Sequence, residues 1–243
     1  RQKNASGVGE GRASDQACQI VVDHEPTIHT CDDWINITLP DWEAVLAAQI
    51  AFSTGDHWIE IVPGLDSIAV QFDPALASPD DAVNMVRYQL DRAAPASGKS
   101  SNSLIIPVCY GEQLAPDRDH VARKLGIAVE ALPSWHASKM QRVAMLGFMP
   151  GFAYLESTES CPPVGRLANP RQLVAAGSIG IIGRQSCIYS FDSPGGWPII
   201  GRTPLRLFDP SKIQPALLSA GDTVRFESIS KNAFDNWPLE AEE

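Results

Sequence analysis

Apolar and polar residues follow two different rhythms along this chain, and the change between them divides it. Trp34-Ile35-Asn36-Ile37-Thr38-Leu39 alternates apolar with polar, as a half-buried strand does. Ile68, Val70 and Phe72 repeat that spacing and predict a second strand facing the same core. Between them, Pro40 and Asp41 introduce a helix over Trp42–Phe52, with Val45, Leu46, Ala48 and Ile50 at helical spacing and Gly55 closing it. Trp58–Val62 reads as a strand turned by Pro63-Gly64, and Ala17–Val22 as a short one near the start. Ser78-Pro79-Asp80-Asp81 supplies a hydroxyl cap, a proline and two carboxylates for a helix start. That helix is expected to bury Val83, Met85, Val86 and Leu90. With Leu104–Val108 as a following strand, the order suggests an α+β unit of ferredoxin-like type over 17–103. Residues 93–103, small and polar, read as its linker, and residues 1–16 as a disordered tail.

Beyond that linker the pattern becomes β-rich. A helix runs from after Pro116 to Leu125 with Gly126 as its stop. A second helical segment, Ala128–His136, carries Pro133, which is expected to distort or delay it. Short apolar runs follow at Val143–Leu146, Ile179–Ile182, Cys187–Phe191, Leu205–Phe208 and Thr223–Ile229, separated by Gly, Pro, Asn and Asp. That is the signature of a sandwich or closed barrel.

Composition narrows the function classes. The 243 residues carry 29 acidic and 19 basic side chains, a formal charge of −10, which argues against a nucleic-acid or anionic-membrane surface. Arg166, Arg171, Arg184 and Arg202 nevertheless gather in the later half and hint at an anionic ligand. Five scattered cysteines show neither a C-x-x-C pair nor metal-ligand spacing, so no metal site is expected and a reducing compartment fits. With no apolar run of bilayer-spanning length, the expectation is a soluble cytoplasmic protein.

Two loops then draw the chemistry together. One runs from Gly147 through Phe148, Pro150 and Phe152 to Tyr154; the other contains Gly195, Gly196, Trp197, Arg202 and Thr203. Glycine and proline stiffen such loops, and the aromatics offer an apolar wall, with core packing as the competing reading. His136 is a candidate acid or base, or else a hydrogen-bonded structural histidine. Arg202 suits a carboxylate or phosphate, or a salt bridge that ties the loop down; Gln185 and Tyr189 orient a ligand or fill strand positions. Gly177–Gly183 lacks the spacing of a phosphate-cradling loop, and Ser178 lacks the first glycine of a nucleophile elbow.

These motifs, from Gly147-Phe-Met-Pro-Gly-Phe-Ala-Tyr-Leu155 through Asn169-Pro-Arg171, Ala176-Gly-Ser-Ile-Gly180 and Gln185-Ser-Cys-Ile-Tyr189 to Ser193-Pro-Gly-Gly-Trp197 and Ile200-Gly-Arg-Thr-Pro204, resemble the allophanate hydrolase subunit 1 family. The same family is called carboxyltransferase subdomain C. The likeness extends upstream through Ile61–Gly64, Phe72–Pro74 and Ile106–Gly111. It implies a small α+β domain followed by a cyclophilin-like β-barrel over 104–243. It implies a B-type component of an ATP-dependent 5-oxoprolinase complex that opens 5-oxo-L-proline to L-glutamate. The partners implied are a homologous allophanate hydrolase subunit 2-type protein (the C-type 5-oxoprolinase component) and the A-type 5-oxoprolinase component, with ATP as co-substrate and no tightly bound cofactor. The alternatives are a KipI-like inhibitor of a sensor histidine kinase, or the carboxyltransferase half of a urea carboxylase-type system. Within that resemblance His136, Arg202 and Gln185 are the catalytic candidates, and Phe148, Pro150, Phe152, Tyr154, Tyr189, Gly195, Gly196, Trp197 and Thr203 the substrate-binding ones. The chain departs from the family pattern at Gln141, where Tyr is expected, Ala175, where Pro is, and Cys187, where Gly is.

Overall fold

A computed structural model describes residues 26–94, 102–157, 159 and 161–238. The tail, the strand at 17–22 and most of the linker at 93–103 lie outside them.

The first unit is a four-stranded antiparallel sheet covered by two helices. β1 (Thr27–Cys31) and β2 (Trp34–Thr38) form a hairpin; α1 (Trp42–Phe52) leads to β3 (Glu60–Pro63) and β4 (Ser67–Gln71), and α2 (Pro79–Asp91) follows. The order is β1-β2-β4-β3. β2 and β3 both run antiparallel to β4, so they are parallel to each other with β4 inserted between, a split βαβ unit closed through α1. The carboxylate of Asp41 caps α1 by accepting from the N–H of Ala44 at 2.8 Å, and Ser78 and Asp81 form a capping box on α2. Ile35, Ile37, Ile68, Val70 and Phe72 bury against Val45, Ala48, Phe52 and Val86.

Two expectations change here. α2 turns Ala82, Val86 and Gln89 inward, and Met85 stays half-buried. Gln89 tolerates burial because its Oε1 accepts from the indole N–H of Trp58 at 2.8 Å. The strand that follows α2, β5 (Ser103–Val108), does not return to this sheet; β1 fills the edge beside β2, and β5 joins the second sheet.

That second sheet is a nearly closed barrel. After β5 come α3 (Arg118–Leu125), a 3₁₀ turn at Val129–Ala131, α4 (Leu132–Ala137), β6 (Met140–Leu146) and β7 (Ala153–Ser157). Then follow β8 (Arg171–Val174), β9 (Ser178–Ile182), β10 (Gln185–Ile188), β11 (Ser193–Gly195), β12 (Ile199–Arg202), β13 (Thr223–Ser228) and α5 (Lys231–Asp235). The sheet order is β12-β9-β10-β7-β6-β13-β5, parallel only between β13 and β5. Its two ends meet where Cys109 and Arg202 exchange both backbone hydrogen bonds, at 2.9 and 3.0 Å, which closes the ring. Ile106, Val108, Val143, Leu155, Ile179, Ile181, Val224 and Phe226 fill the interior. β8 and β11 form a separate ribbon.

Pro133 sits in the first turn of α4, where its missing N–H costs nothing, so the helix starts there rather than bending. Leu205–Phe208 is not a strand: Phe208 makes only an isolated bridge to Ala216. Strands β7, β8, β11 and β12 form where the glycine- and proline-rich sequence predicts loops. No helix among the described residues is long and apolar enough to cross a membrane.

Candidate functional site

The barrel places the predicted residues on two opposite faces of one sheet. Cross-strand partners share a face, and residues one apart do not. Gln185 pairs with Glu156 and Ile182, Cys187 pairs with Tyr154 and Gly180, and Arg202 pairs with Ser178. Ser178, Gly180 and Ile182 alternate along β9, so Arg202, Cys187, Tyr154 and Gln185 all belong to the outer face. Gln185 and Arg202 flank opposite ends and opposite sides of β9, offset by roughly 13 Å along the strand direction. The aromatic group lies between them.

Most of that group is core. Phe152, Tyr189 and Trp197 are buried, packed with Val174, Cys187 and Ile199 beneath the β8–β11 ribbon. Phe152 meets Tyr154 at 4.8 Å and Tyr189 at 5.0 Å between ring centroids, and Tyr154 meets Trp197 at 6.1 Å. Burial raises the phenol pKa of Tyr189 and Tyr154 and the thiol pKa of Cys187, so all three are neutral at ordinary pH. Cys187 fills the hollow over Gly180, where an added Cβ would stand 2.8 Å from both the Cys187 sulfur and the Trp197 Cβ. Gly195 leaves the space that the Tyr189 hydroxyl occupies. Gly196, whose carbonyl accepts from the N–H of Leu167, lies against Pro170.

What remains accessible is the rim. Phe148 is 65 % exposed at the tip of the β6–β7 hairpin and holds a φ of +71°, a conformation that an aromatic residue adopts only under constraint. It meets Phe152 edge-on at 5.3 Å. Pro150 is exposed beside it, and Tyr154 and Gln185 are half-buried. Gly151, at φ +72°, lets this loop approach the Leu207 carbonyl, which a Cβ would meet at 2.8 Å. The Arg202 Nε–H donates to the Ala176 carbonyl at 2.7 Å, and its guanidinium lies 5.9 Å from the Phe234 ring centre.

Two predicted residues fall elsewhere. His136 is fully buried inside the barrel. Its Nδ1 lies 2.8 Å from the Tyr110 hydroxyl, its Nε2 lies 3.1 Å from Ser186 Oγ and 3.3 Å from Gln141 Nε2, and its ring stacks on Phe226 at 4.4 Å. Burial, with the charge of Lys139 adding to it, drives its pKa down to about 3, so the ring is neutral. Ser186 neighbours Gln185 in sequence but faces inward, and His136 is thereby walled off from the outer face. Its place is structural. Thr203 is buried as well, and its hydroxyl accepts from the N–H of Leu205 at 3.3 Å.

The four arginines divide too. Arg171 is spent on Asp117 at 2.7 Å and Arg184 on Glu156 at 2.7 Å, whereas Arg166 lies 5.8 Å from the Trp197 ring centre. Asp117 is a residue that the sequence reading passes over. It also accepts from the N–H of Ile199 at 2.7 Å, pinning α3, β8 and β12 together. Its position directly after Pro116, at the head of a helix, is the only signal it gives. The Gly177–Gly183 segment is no phosphate cradle, since the N–H groups of Gly177, Ser178, Ile181 and Gly183 donate to Tyr189, Ala175, Pro198 and Val164.

Comparison with known proteins gives this geometry a context. The model of the carboxyltransferase domain, subdomain C and D, matches residues 22–218. The B subunit of the Bacillus subtilis 5-oxoprolinase is 34 % identical over 205 residues, covering 80 % of this chain and 85 % of that protein. Its counterpart from Escherichia coli is 39 % identical over 168 residues, covering 69 % and 77 %. The crystal structure of the Kluyveromyces lactis urea carboxylase superposes with a TM-score of 0.72 at 17 % identity, over 86 % of this chain and 22 % of that one, a likeness of fold.

Proposed function

The chain belongs to the carboxyltransferase subdomain C and D family, and from that premise we propose that it is the B-type subunit of an ATP-dependent 5-oxoprolinase complex. The observation that carries this reading is the likeness to B-type 5-oxoprolinase subunits over most of both chains. In the proposed reaction 5-oxo-L-proline is opened to L-glutamate, with ATP as co-substrate and the barrel as a cyclophilin-like half of the site. A homologous C-type partner completes it, and an A-type partner joins them. The first unit serves as its ferredoxin-like companion.

A lactam carbon is a weak electrophile. Transfer of the γ-phosphoryl group to the lactam oxygen activates the carbon; one water adds there, the ring C–N bond breaks as nitrogen takes up a proton to leave a γ-glutamyl phosphate, and a second water hydrolyses that acyl phosphate to L-glutamate and phosphate. The charge that develops requires oriented donors. Arg202 and Gln185 are the outer-face donors assigned to that charge in this reading. Phe148, Pro150 and Tyr154 form the apolar rim, backed by Phe152, Tyr189 and Trp197 with Gly195 and Gly196 above them. The triphosphate is proposed to sit on a partner.

Co-expression with the A-type and C-type proteins, purification of the assembly, and measurement of L-glutamate formed from 5-oxo-L-proline with and without ATP test the proposal. Copurification with ATP-dependent product supports it. No copurifying partner and no product overturn it, and inhibition of a sensor kinase's autophosphorylation by the isolated chain would favour the KipI-like role.

A further inference from the structure

The seam between α1 and the barrel holds a cavity of about 350 Å³, within the range of small-ligand sites. Its walls come from both units: Trp42 and Glu43 from α1, and Arg142, Glu156 and Arg184 from the barrel. The register explains how it adjoins the outer face, since Arg142 pairs with Glu156 and Glu156 with Gln185, one rung across three strands. Among these side chains some are already committed. Asp41 caps α1 and Glu156 holds Arg184 at 2.7 Å. Arg142 has no carboxylate partner among the described residues; its guanidinium lies over the Trp42 ring, 4.9 Å from the centre, which fixes the cation while leaving its N–H edge free. Glu43 is an exposed carboxylate without a partner among the described residues.

We propose that this seam is a binding site for a small α-amino-acid-type carboxylate. The ligand carboxylate takes the free edge of Arg142 above Trp42, and the nitrogen on its α-carbon donates to Glu43. A charged ammonium and a neutral lactam N–H both supply that donor. The site is read on this chain alone and does not depend on the assignment to a 5-oxoprolinase complex.

The test is titration of the full chain, without ATP or partners, with L-glutamate and in parallel with 5-oxo-L-proline, following the indole N–H resonance of Trp42, assigned through Trp42→Phe. Saturable movement of that resonance by either compound is expected, weakened about tenfold in Arg142→Gln. Arg142→Lys keeps the charge without the fork and is expected to fall between, while Arg92→Gln, in a separate groove of the first unit beside His57 and Tyr88, leaves binding unchanged. Saturation by glutamate alone identifies the ammonium as the recognised donor; saturation by 5-oxoproline identifies the lactam N–H. Failure of both compounds to saturate, or equal affinity in Arg142→Gln, overturns the site.

Discussion

His136 and Gln185 stand on opposite faces of one sheet: the histidine is tied through Nε2 to Ser186 at 3.1 Å inside the barrel, and Gln185, the next residue back, opens outward beside Glu156. Removing the imidazole therefore acts on stability first. His136→Ala leaves the Tyr110 hydroxyl and Ser186 without their partner and opens a cavity against Phe226. A loss of about 3 kcal/mol is expected in urea unfolding.

The same residue gives stability a pH dependence of known sign. Its folded pKa is lowered from 6.5 to about 3. The unfolded chain thus binds the proton more readily, and the contribution is fully present above pH 6.5 and lost as pH falls toward 3. Between pH 6.5 and 5 the loss amounts to about 2 kcal/mol. Unfolding free energies measured across that interval check it, and His136→Gln should flatten the slope.

Gly180→Ala places a Cβ 2.8 Å from both the Cys187 sulfur and the Trp197 Cβ. The Trp197 Cβ is fixed to backbone and cannot swing away, so a cost of about 2 kcal/mol is expected. Adding Cys187→Gly removes one of the two clashes. A thermal denaturation cycle should show the pair less destabilised than the sum of the singles.

Asp117→Ala leaves Arg171 and the Ile199 N–H without their shared acceptor. Because the Asp117 side chain is only 10 % exposed, the expected cost is about 3 kcal/mol. Hydrogen exchange should report it first at Ile199 and along β8, while the first unit's sheet stays protected.

The legible parts of this fold were those with one clear period. Helix α1 spans the predicted Trp42–Phe52, and Ile68, Val70 and Phe72 share one core as their alternation requires. The strands at Ala153–Ser157 and Ile199–Arg202 escaped because glycine and proline around them read as turns, although the barrel pairs their backbones on both sides. The candidate site was half legible. Its motifs lie on loops that pack against each other, Tyr154 meeting Trp197, but a sequence carries no facing information across a barrel until the register is known. Thus His136 fell inside, and Arg142 and Trp42, from separate units, met at a seam that no local pattern announces.

The outer face bearing Gln185 and Arg202 is proposed as half of an amide-opening site. The direct measurement is kcat for ATP-dependent glutamate formation by the assembled complex carrying Gln185→Ala or Arg202→Ala, with assembly verified by gel filtration. The complex is expected to form still, with kcat lowered by about a hundredfold, the scale of losing one charge-stabilising donor. Full kcat in both variants of an intact complex would contradict it.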